Sequence, residues 1–284
     1  MPRIPLLLTI LYLGLVQFFF GIGPAQIILS LFILIGTLAH PKSRRFILDI
    51  FPFAIFGMLY DLLRAVPKSW AGPIHVIWPY ELEKMLFGFF HDGIKITPNE
   101  FFMTHTHPLL DVLTALTYSL HMLIPIGFFV WAWIQERPVA REFAQVFLVM
   151  NLFAFLTYLA FPVAPPWYVE QYGLTVGDWS IPGSAAGLIR FDRLIGIPYF
   201  QDIYAKSAWV YGAVPSMHAG FPVLMILYAH KIFSKGVLPF YLFMGLIWFA
   251  AIYLGHHYVI DLLAGGMYAL ASWFLMRRIF RVSK

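Results

Sequence analysis

Long apolar segments separated by short polar connections run through most of the chain. A helix rises 1.5 Å per residue, so about 20 apolar residues cross a hydrocarbon core of roughly 30 Å. Runs without polar interruption favour helices over the alternating strands of a membrane barrel. The pattern therefore predicts an all-α, polytopic membrane bundle of about eight transmembrane helices. The predicted spans are about 4–22, 25–39, 46–64, 108–134, 143–161, 218–233, 236–254 and 258–276.

The composition agrees with a membrane protein. Of the 284 residues, 61% are hydrophobic and 12% are charged, and the mean hydropathy is +0.77, outside the range of soluble domains. We find no internal repeat or separate soluble segment, so residues 1–284 are expected to form one membrane domain. Residues 4–20 could also be a signal peptide, but the next apolar run follows without a clear cleavage site, so we interpret them as a retained first helix. The absence of cysteine excludes disulfides and thiolate-bound metals.

Positive charge lies at one end of the predicted bundle. Lys and Arg in short connections mark the cytoplasmic side of a membrane protein. Only three acidic residues, Asp49, Glu136 and Glu142, lie with them. Both termini are therefore predicted to be cytoplasmic, and this bias explains the net charge of +5 better than nucleic-acid binding does. The basic residues of this end are Arg3, Lys42, Arg44, Arg45, Arg137, Arg141, Lys231, Lys235, Arg277, Arg278, Arg281 and Lys284.

Two long segments, about 65–107 and 162–217, fall on the opposite, outer side of the predicted bundle. Both are rich in Trp and Tyr, and most of these residues are expected to form a belt at the membrane interface. Within residues 79–91, apolar residues recur at helical spacing beside charges, which is typical of a helix lying flat among lipid headgroups. The aromatic residues concerned are Trp70, Trp78, Tyr80, Trp167, Tyr168, Trp179, Trp209 and Tyr211.

Ionisable residues occur near the ends of several predicted spans. A charge inside a membrane costs several kcal/mol unless it is paired or solvated, so such residues are functional candidates. In the predicted topology all of them lie at the outer end of the bundle. They are Asp61, Arg64, His105, His107, Asp111, His218, His256, His257 and Asp261.

His257 and Asp261 stand four residues apart in the stretch GHHYVIDLLAGG. If a helix begins near residue 257, they share one face. The carboxylate can then accept a hydrogen bond from one imidazole nitrogen and leave the other with a free lone pair, as in an oriented nucleophile. An isolated pair at this spacing is also typical of a helix start without chemistry. His256 points about 100° away and is expected to be structural.

The stretch VYGAVPSMHAGFP places a second histidine at the start of an apolar run. Pro215 suits a position before or in the first turn, and Ser216 can cap the helix. His218 then lies near a helix N-terminus, which attracts anions. It could protonate a leaving oxygen while another group attacks. Taken alone, the stretch is equally a helix cap followed by a histidine.

Together these two stretches resemble a known family. PSMHAG, followed about forty residues later by HHYVID, resembles the second and third signatures of the type 2 phosphatidic acid phosphatase superfamily. The His-Tyr-x-x-Asp ending is similar to the branch that contains inositol phosphorylceramide synthase and sphingomyelin synthase. YDLLR (60–64) and FPVAPPWY (161–168) resemble the inositol phosphorylceramide synthase side of that branch. The resemblance covers residues 57–266 and implies a six-helix family core within the bundle.

The resemblance also implies roles for individual residues. His257 would be the nucleophile, Asp261 would orient it, and His218 would act as general acid and then as general base. Ser216 would help to hold the phosphoryl oxygens. The family chemistry needs no metal, so no metal or other cofactor is predicted, although His105, His107 and Asp111 resemble a metal cluster in composition. His40 and His121 are expected to be core or interface residues.

The chain departs from the family pattern at three places. Ala250 and Ala251 stand where the broad family has Ser-Arg, Met217 replaces a glycine, and the Lys-then-Arg-Pro first signature is absent. Other cations must therefore stabilise the negative charge of the transition state. Arg64 is favoured because an arginine near the end of an apolar span is costly without a role, and pairing with Asp61 is the alternative.

The remaining expected substrate contacts lie on the outer side. Further cations that could bind phosphate are Lys68, Arg190, Arg193 and Lys206. The expected substrate-binding residues are Asp61, Tyr258, Trp167, Tyr168, His105 and His107.

The resemblance implies a multi-pass membrane enzyme that moves an inositol-phosphate-like head group between lipids through a phosphohistidine intermediate. The lipid substrates would enter from the bilayer, and the active site would face the extracytoplasmic side. A lipid phosphate or polyprenyl diphosphate phosphatase that uses water is the alternative. A proton-coupled transporter is a third hypothesis, but it would place ionisable groups near the membrane midplane. The sequence leaves the acceptor and the oligomeric state open.

Overall fold

The computed structural model describes residues 3–233 and 235–282, with side chains to residue 279, so Lys284 of the predicted basic end lies outside the described residues. The described chain is mainly helical, with one two-stranded antiparallel sheet. The elements are α1 Arg3–Phe19, α2 Pro24–Leu38, α3 Pro41–Leu62, α4 Ile77–Phe87, β1 Phe89–His91, β2 Ile94–Ile96, α5 Pro98–Thr104, α6 Pro108–Ser119, α7 Leu123–Gln135, α8 Arg137–Ala160, α9 Pro166–Tyr172, α10 Leu188–Ile195, α11 Tyr199–Tyr204, α12 Met217–Ile232, α13 Leu238–Tyr253 and α14 Val259–Val282.

Each of the eight predicted apolar segments is helical. By length and composition, α8, α14 and α3 with its adjoining 3₁₀ turn can cross a membrane, and α6 with α7 adds a fourth span if the pair is counted as one. Helices α1, α2 and α13 are apolar but shorter. The chain is therefore an integral membrane protein.

The predicted span 108–134 is two helices that meet at an angle of 50°. Residues 120–122 separate α6 from α7, and Pro125 lies in the first turn of α7. A proline ring clashes with the carbonyl group four residues earlier, so a helix cannot run unbroken through residue 121. The break brings His121 to the same end of the bundle as the start of α12.

Helix α12 is central because it packs against α7, α8, α13 and α14. Its start approaches α14 so closely that a side chain at Gly265 would collide with the Ser216 carbonyl oxygen. The core between α3, α7 and α8 is aromatic, and Phe53 stacks on Phe147 with ring centroids 4.2 Å apart. Close backbone approach at small residues is typical of helix packing in membranes.

Ion pairs connect neighbouring helices at the basic end of the bundle. Asp49 of α3 is buried and lies 2.6 Å from Arg137 Nε and 3.3 Å from Arg141 Nε of α8. Lys231, in the last turn of α12, contacts Glu142 of α8 at 2.8 Å. Because His218 lies in the first turn of α12, these pairs lie at the end of the bundle opposite to His218.

The two long outer segments interlock by short backbone pairings. Val163 bridges to His75 on one side and to Gly212 on the other. The prediction that the aromatic residues form a belt at the membrane interface is wrong for several of them, because Trp167, Tyr168, Trp209 and Tyr211 are buried. Their rings fill the space between the interlocked loops, where Trp179 packs edge-on against two of them.

The helix predicted within residues 79–91 forms only in part. Helix α4 ends at Phe87, and residues 89–91 form strand β1 of the hairpin. Gly88 is extended and packs so tightly against the Lys84 carbonyl group that a larger residue would not fit. The extended backbone at Gly88 leads the chain from helix α4 into strand β1.

Candidate active site

A cavity of about 490 Å³ lies at the end of the bundle where α12 begins and where the turn before α14 is found. Four imidazoles line it: His121, His218, His256 and His257. Among the described residues, no Lys, Arg, Asp or Glu side chain lines its wall. Most of the other lining residues have aromatic side chains or side chains with a hydroxyl group. Histidines are therefore the groups in this wall that can become positively charged.

His257 lies in the turn that joins α13 to α14, and it is buried. Its Nδ1 atom is 3.1 Å from the carbonyl oxygen of Ala213 and 3.4 Å from Oδ2 of Asp261. Both partners are acceptors, so Nδ1 carries the proton in the neutral ring. The lone pair is then on Nε2, the nitrogen that a nucleophile uses.

Asp261 is completely buried in the first turn of α14. Its Oδ2 atom also accepts the backbone N–H of Tyr258 at 2.8 Å. The predicted contact between Asp261 and His257 forms, although α14 begins at Val259 and not at residue 257. The contact survives because His257 lies just before the helix, and the carboxylate turns back to the start of its own helix.

His218 and His257, 39 positions apart in sequence, meet directly. The Nδ1 atom of His218 lies 3.1 Å from Nε2 of His257. The His218 ring stacks on Tyr118 at 4.1 Å between centroids, and the Tyr118 hydroxyl lies 3.4 Å from the same Nδ1 atom. His121 packs on the His218 ring at 4.2 Å. The structure thus brings together the three residues that the sequence singled out for catalysis.

Ser216 occupies the N-cap position of α12, but the prediction that its side chain caps the helix is wrong. Its hydroxyl is buried and has no hydrogen-bond partner in the described part of the chain. The backbone connects this residue to the site instead, because the Ser216 N–H donates to the Asp261 carbonyl oxygen at 3.0 Å. The starts of α12 and α14 are thereby joined.

Arg64 and Asp61 form an ion pair at the end of α3. Asp61 also accepts hydrogen bonds from the Tyr12 hydroxyl at 2.7 Å and from Gln26 at 2.9 Å, and Arg64 lies over the ring of Phe20. Neither residue of the pair lines the histidine cavity. The pairing that the sequence offered as the alternative for Arg64 is present.

Arg190 and Arg193 line a separate cavity of about 200 Å³. Arg190 Nε lies 2.6 Å from Asp111 Oδ1, and its guanidinium lies over the Tyr253 ring. Arg193 is exposed. Leu254 and Gly255, the two residues just before His256, also line this second cavity.

The other predicted substrate contacts are scattered. Trp167 lines the histidine cavity, whereas Tyr168 and Tyr258 are buried outside its wall. His105 stacks on Phe101, and His107 accepts a hydrogen bond from the N–H of Leu109 at the start of α6. Lys206 is exposed.

Two histidines that the sequence assigned to structure or core lie in the cavity wall. His121 lies beside His218, and His256 stacks between Tyr118 and Tyr204 at 5.0 and 4.8 Å. A histidine inside an apolar run such as TYSLHMLIP is a signal for His121. His256 gives no separate signal because it is adjacent to the nucleophile candidate.

Lys68 lies close to the cavity but not in its wall. Its Nζ atom is 3.9 Å from the centroid of Trp209, a residue of the wall, and 5.4 Å from that of Trp179. Burial lowers the pKa of Lys68 below its ordinary value. A cation over aromatic faces is favourable, and this one is near the histidines.

Comparison with known proteins agrees with the geometry. Residues 93–275 match the family model described as the PAP2 superfamily. The chain is 37% identical to the phosphoinositol dihydroceramide synthase of Bacteroides thetaiotaomicron over 93% of this chain and 87% of that protein.

Fungal proteins are similar over a smaller share of their length. The inositol phosphorylceramide synthase catalytic subunit of Schizosaccharomyces pombe is 30% identical over 86% of this chain and 56% of its own length. That of Saccharomyces cerevisiae is 31% identical over 90% of this chain and 64% of its own. The chain thus spans less than two thirds of either fungal relative. No solved structure matches the chain at a significant level. The chain belongs to the PAP2 superfamily, in the branch that contains the inositol phosphorylceramide synthases.

Proposed function

We propose that this protein is a lipid phosphotransferase that moves an inositol-phosphate-like head group from a phospholipid to the hydroxyl group of a second lipid. The observation that supports this most is the contact of His218 with His257 Nε2 in the cavity wall, with Asp261 on the opposite nitrogen. The names of the relatives support a phosphoinositol donor and a dihydroceramide-like acceptor. Residues 57–266 form the proposed catalytic region.

In the first step, His257 Nε2 attacks phosphorus and the bond from phosphorus to the diacylglycerol oxygen breaks. His218 donates a proton to that oxygen, so neutral diacylglycerol leaves. His257 now carries the phosphorylated inositol through a P–N bond. Asp261 stabilises the positively charged ring because its carboxylate faces the Nδ1–H group while Nε2 is bonded to phosphorus.

In the second step, the acceptor hydroxyl gives its proton to His218 and its oxygen attacks phosphorus. The P–N bond breaks, and His257 regains its lone pair. A wall rich in aromatic side chains disfavours water near the intermediate, which supports transfer over hydrolysis.

We also propose phosphate ligands and further substrate contacts from the outer side of the bundle. Ser216, Arg64, Arg190, Arg193 and Lys206 are the proposed ligands, and Asp61, Tyr258, Trp167, Tyr168, His105 and His107 the proposed substrate contacts. Of these, Trp167 has the support of lining the cavity. Because the wall has no described Lys or Arg, we further propose that His218, and not the nucleophile His257, carries a positive charge when the phosphate is bound.

We propose that the eight apolar helical segments span the membrane with both termini in the cytoplasm. The ion pairs at the basic end support this orientation, because that end carries the predicted cytoplasmic Lys and Arg residues. The histidine cavity would then open on the extracytoplasmic side, and lipid substrates would reach it from the bilayer.

The test incubates purified protein with head-group-labelled phosphatidylinositol or with labelled phosphatidic acid, each with and without dihydroceramide. We expect label to move from phosphatidylinositol to dihydroceramide, with release of diacylglycerol, and we expect His257→Gln to be inactive. Release of inorganic phosphate from phosphatidic acid alone, without any transfer, would overturn the transferase in favour of a phosphatase.

A further inference from the structure

Two buried polar side chains outside the histidine cavity contact the backbone of the turn that carries His257. Glu83 of α4 is completely buried, and Asn99 in the first turn of α5 is 2% exposed. Both belong to the outer segment that precedes α6. Neither residue takes part in the proposed chemical steps.

Glu83 binds the start of α14 through both carboxylate oxygens. Oε1 accepts the N–H of Val259 and Oε2 accepts the N–H of Ile260, each at 3.1 Å. The first N–H groups of a helix have no partner within the helix, and burying them without a partner is costly. Since Asp261 accepts the N–H of Tyr258, two carboxylates satisfy three successive N–H groups of this turn.

Asn99 holds the same turn from its other side. Its Nδ2 atom donates to the carbonyl oxygen of His257 and to that of Ile252, each at 3.0 Å. The last turn of α13 is thereby connected to the backbone of the nucleophile. Asn99 and Glu83 therefore fix the carbonyl group of His257 and the N–H groups that follow it.

We propose that Glu83 and Asn99 are positioning residues that together hold the backbone of residues 257–260 and so aim the His257 ring at the phosphate. This inference rests on the proposed role of His257 as the nucleophile. A displacement of about 1 Å at a reacting group can reduce a rate about a hundredfold. Loss of either side chain should therefore lower kcat and leave KM nearly unchanged.

The test compares the full-length variants Glu83→Gln and Asn99→Ala with the wild type in detergent. Glu81→Gln is the matched control because Glu81 is exposed on the same helix. Hydrogen exchange is measured on peptides that contain residues 256–262, and kcat and KM are measured with phosphatidylinositol and dihydroceramide. We expect exchange in this turn to accelerate at least about tenfold in both variants, kcat to fall at least about tenfold, and KM to change less than about twofold.

Exchange in residues 256–262 equal to that of the wild type in both variants would overturn the proposal. Faster exchange with unchanged kcat would also overturn it, because the bonds would then not position the nucleophile. If Glu83→Gln does not fold, Glu83→Asp keeps the carboxylate but withdraws it by one methylene, and its exchange decides in the same way. A wild type that transfers no head group would refute the proposed function, whereas the exchange result tests the backbone contacts independently.

Discussion

The Nδ1 atom of His218 lies 3.1 Å from the Nε2 atom of His257. A hydrogen bond of this length leaves no room for a phosphorus atom between the two nitrogens. The donor phosphate must therefore separate the rings as it enters. The Tyr118 hydroxyl, 3.4 Å from the same His218 atom, offers an alternative partner for His218 when this happens.

His218 and His257 have different proposed roles, so we expect their replacement to lower turnover to different extents. We expect His257→Gln to have no detectable transfer, because the substitution removes the Nε2 atom that forms the P–N bond. His218→Gln should lower kcat about 10²- to 10⁴-fold, the range for loss of a general acid or base. Initial rates with labelled phosphatidylinositol measure both effects. His230→Gln, exposed in the last turn of α12, is the control, and more than about a tenth of wild-type kcat in either site variant would contradict the assignment.

Asp261→Asn should reduce kcat more than it affects binding. The amide keeps an oxygen that can accept the Tyr258 N–H, but it lacks the charge that favours the Nδ1 proton of His257. In a triad of similar geometry such a change lowers kcat by up to about 10⁴-fold. We expect a loss of about 10²- to 10⁴-fold with KM within about threefold. A rise in KM of about 10²- to 10⁴-fold with kcat unchanged would instead indicate that Asp261 binds substrate.

Glu83 should make stability depend on pH. Burial raises its pKa to about 7, the N–H groups of Val259 and Ile260 oppose this shift, and the charge of Asp261 adds to it. The ionisable groups that face it are Asp261 of α14 and Tyr258 of the turn before that helix. Because the folded state holds this proton more tightly than the unfolded chain, the contribution is fully present below pH 4.5 and is lost as pH rises through about 7.

The measurement is thermal unfolding of the purified protein between pH 5 and pH 8. The melting temperature of the wild type should fall by several degrees more over this range than that of Glu83→Gln, since the variant has no carboxyl group to ionise at this position. Glu81→Gln should behave as the wild type. Parallel curves for the wild type and Glu83→Gln would show that Glu83 does not titrate in this interval.

Gly265 should tolerate no side chain. A Cβ atom there would collide with the carbonyl oxygen of Ser216, and the backbone of α12 cannot move without displacing His218. We expect Gly265→Ala to lower the yield of folded protein strongly. Gly245→Ala, on α13, should express as the wild type because nothing lies within 4 Å of a Cβ there. Equal folded yields of the two variants in size-exclusion chromatography would contradict this packing.

The sequence was sufficient for the helical architecture because apolar run length determines which segments are helical in a membrane. The sequence was less reliable where local backbone geometry determines the ends of a helix. Pro125 breaks the span that was predicted over 108–134, and the close approach at Gly88 ends α4 before the predicted boundary. The outer aromatic residues were assigned to an interface because composition does not reveal that loops interlock over them.

The catalytic candidates were predictable because two short signatures carry them, and their spacing in the chain is specific. The other histidines of the cavity wall could not be predicted, since His121 and His256 reach it through helix packing and not through a motif. Glu83 and Asn99 gave no signal for the same reason: in sequence, Glu83 is an acidic residue two positions from exposed Glu81. Their role depends on contacts across more than 150 residues.

The most direct test of the central claim is to trap the intermediate. The wild type is mixed with phosphatidylinositol without acceptor, quenched under alkaline conditions that preserve a P–N bond, digested, and analysed by mass spectrometry. We predict an inositol-phosphate adduct on His257 that disappears when dihydroceramide is added before the quench. Diacylglycerol release in a burst without any adduct, or an adduct on another residue, would contradict the account.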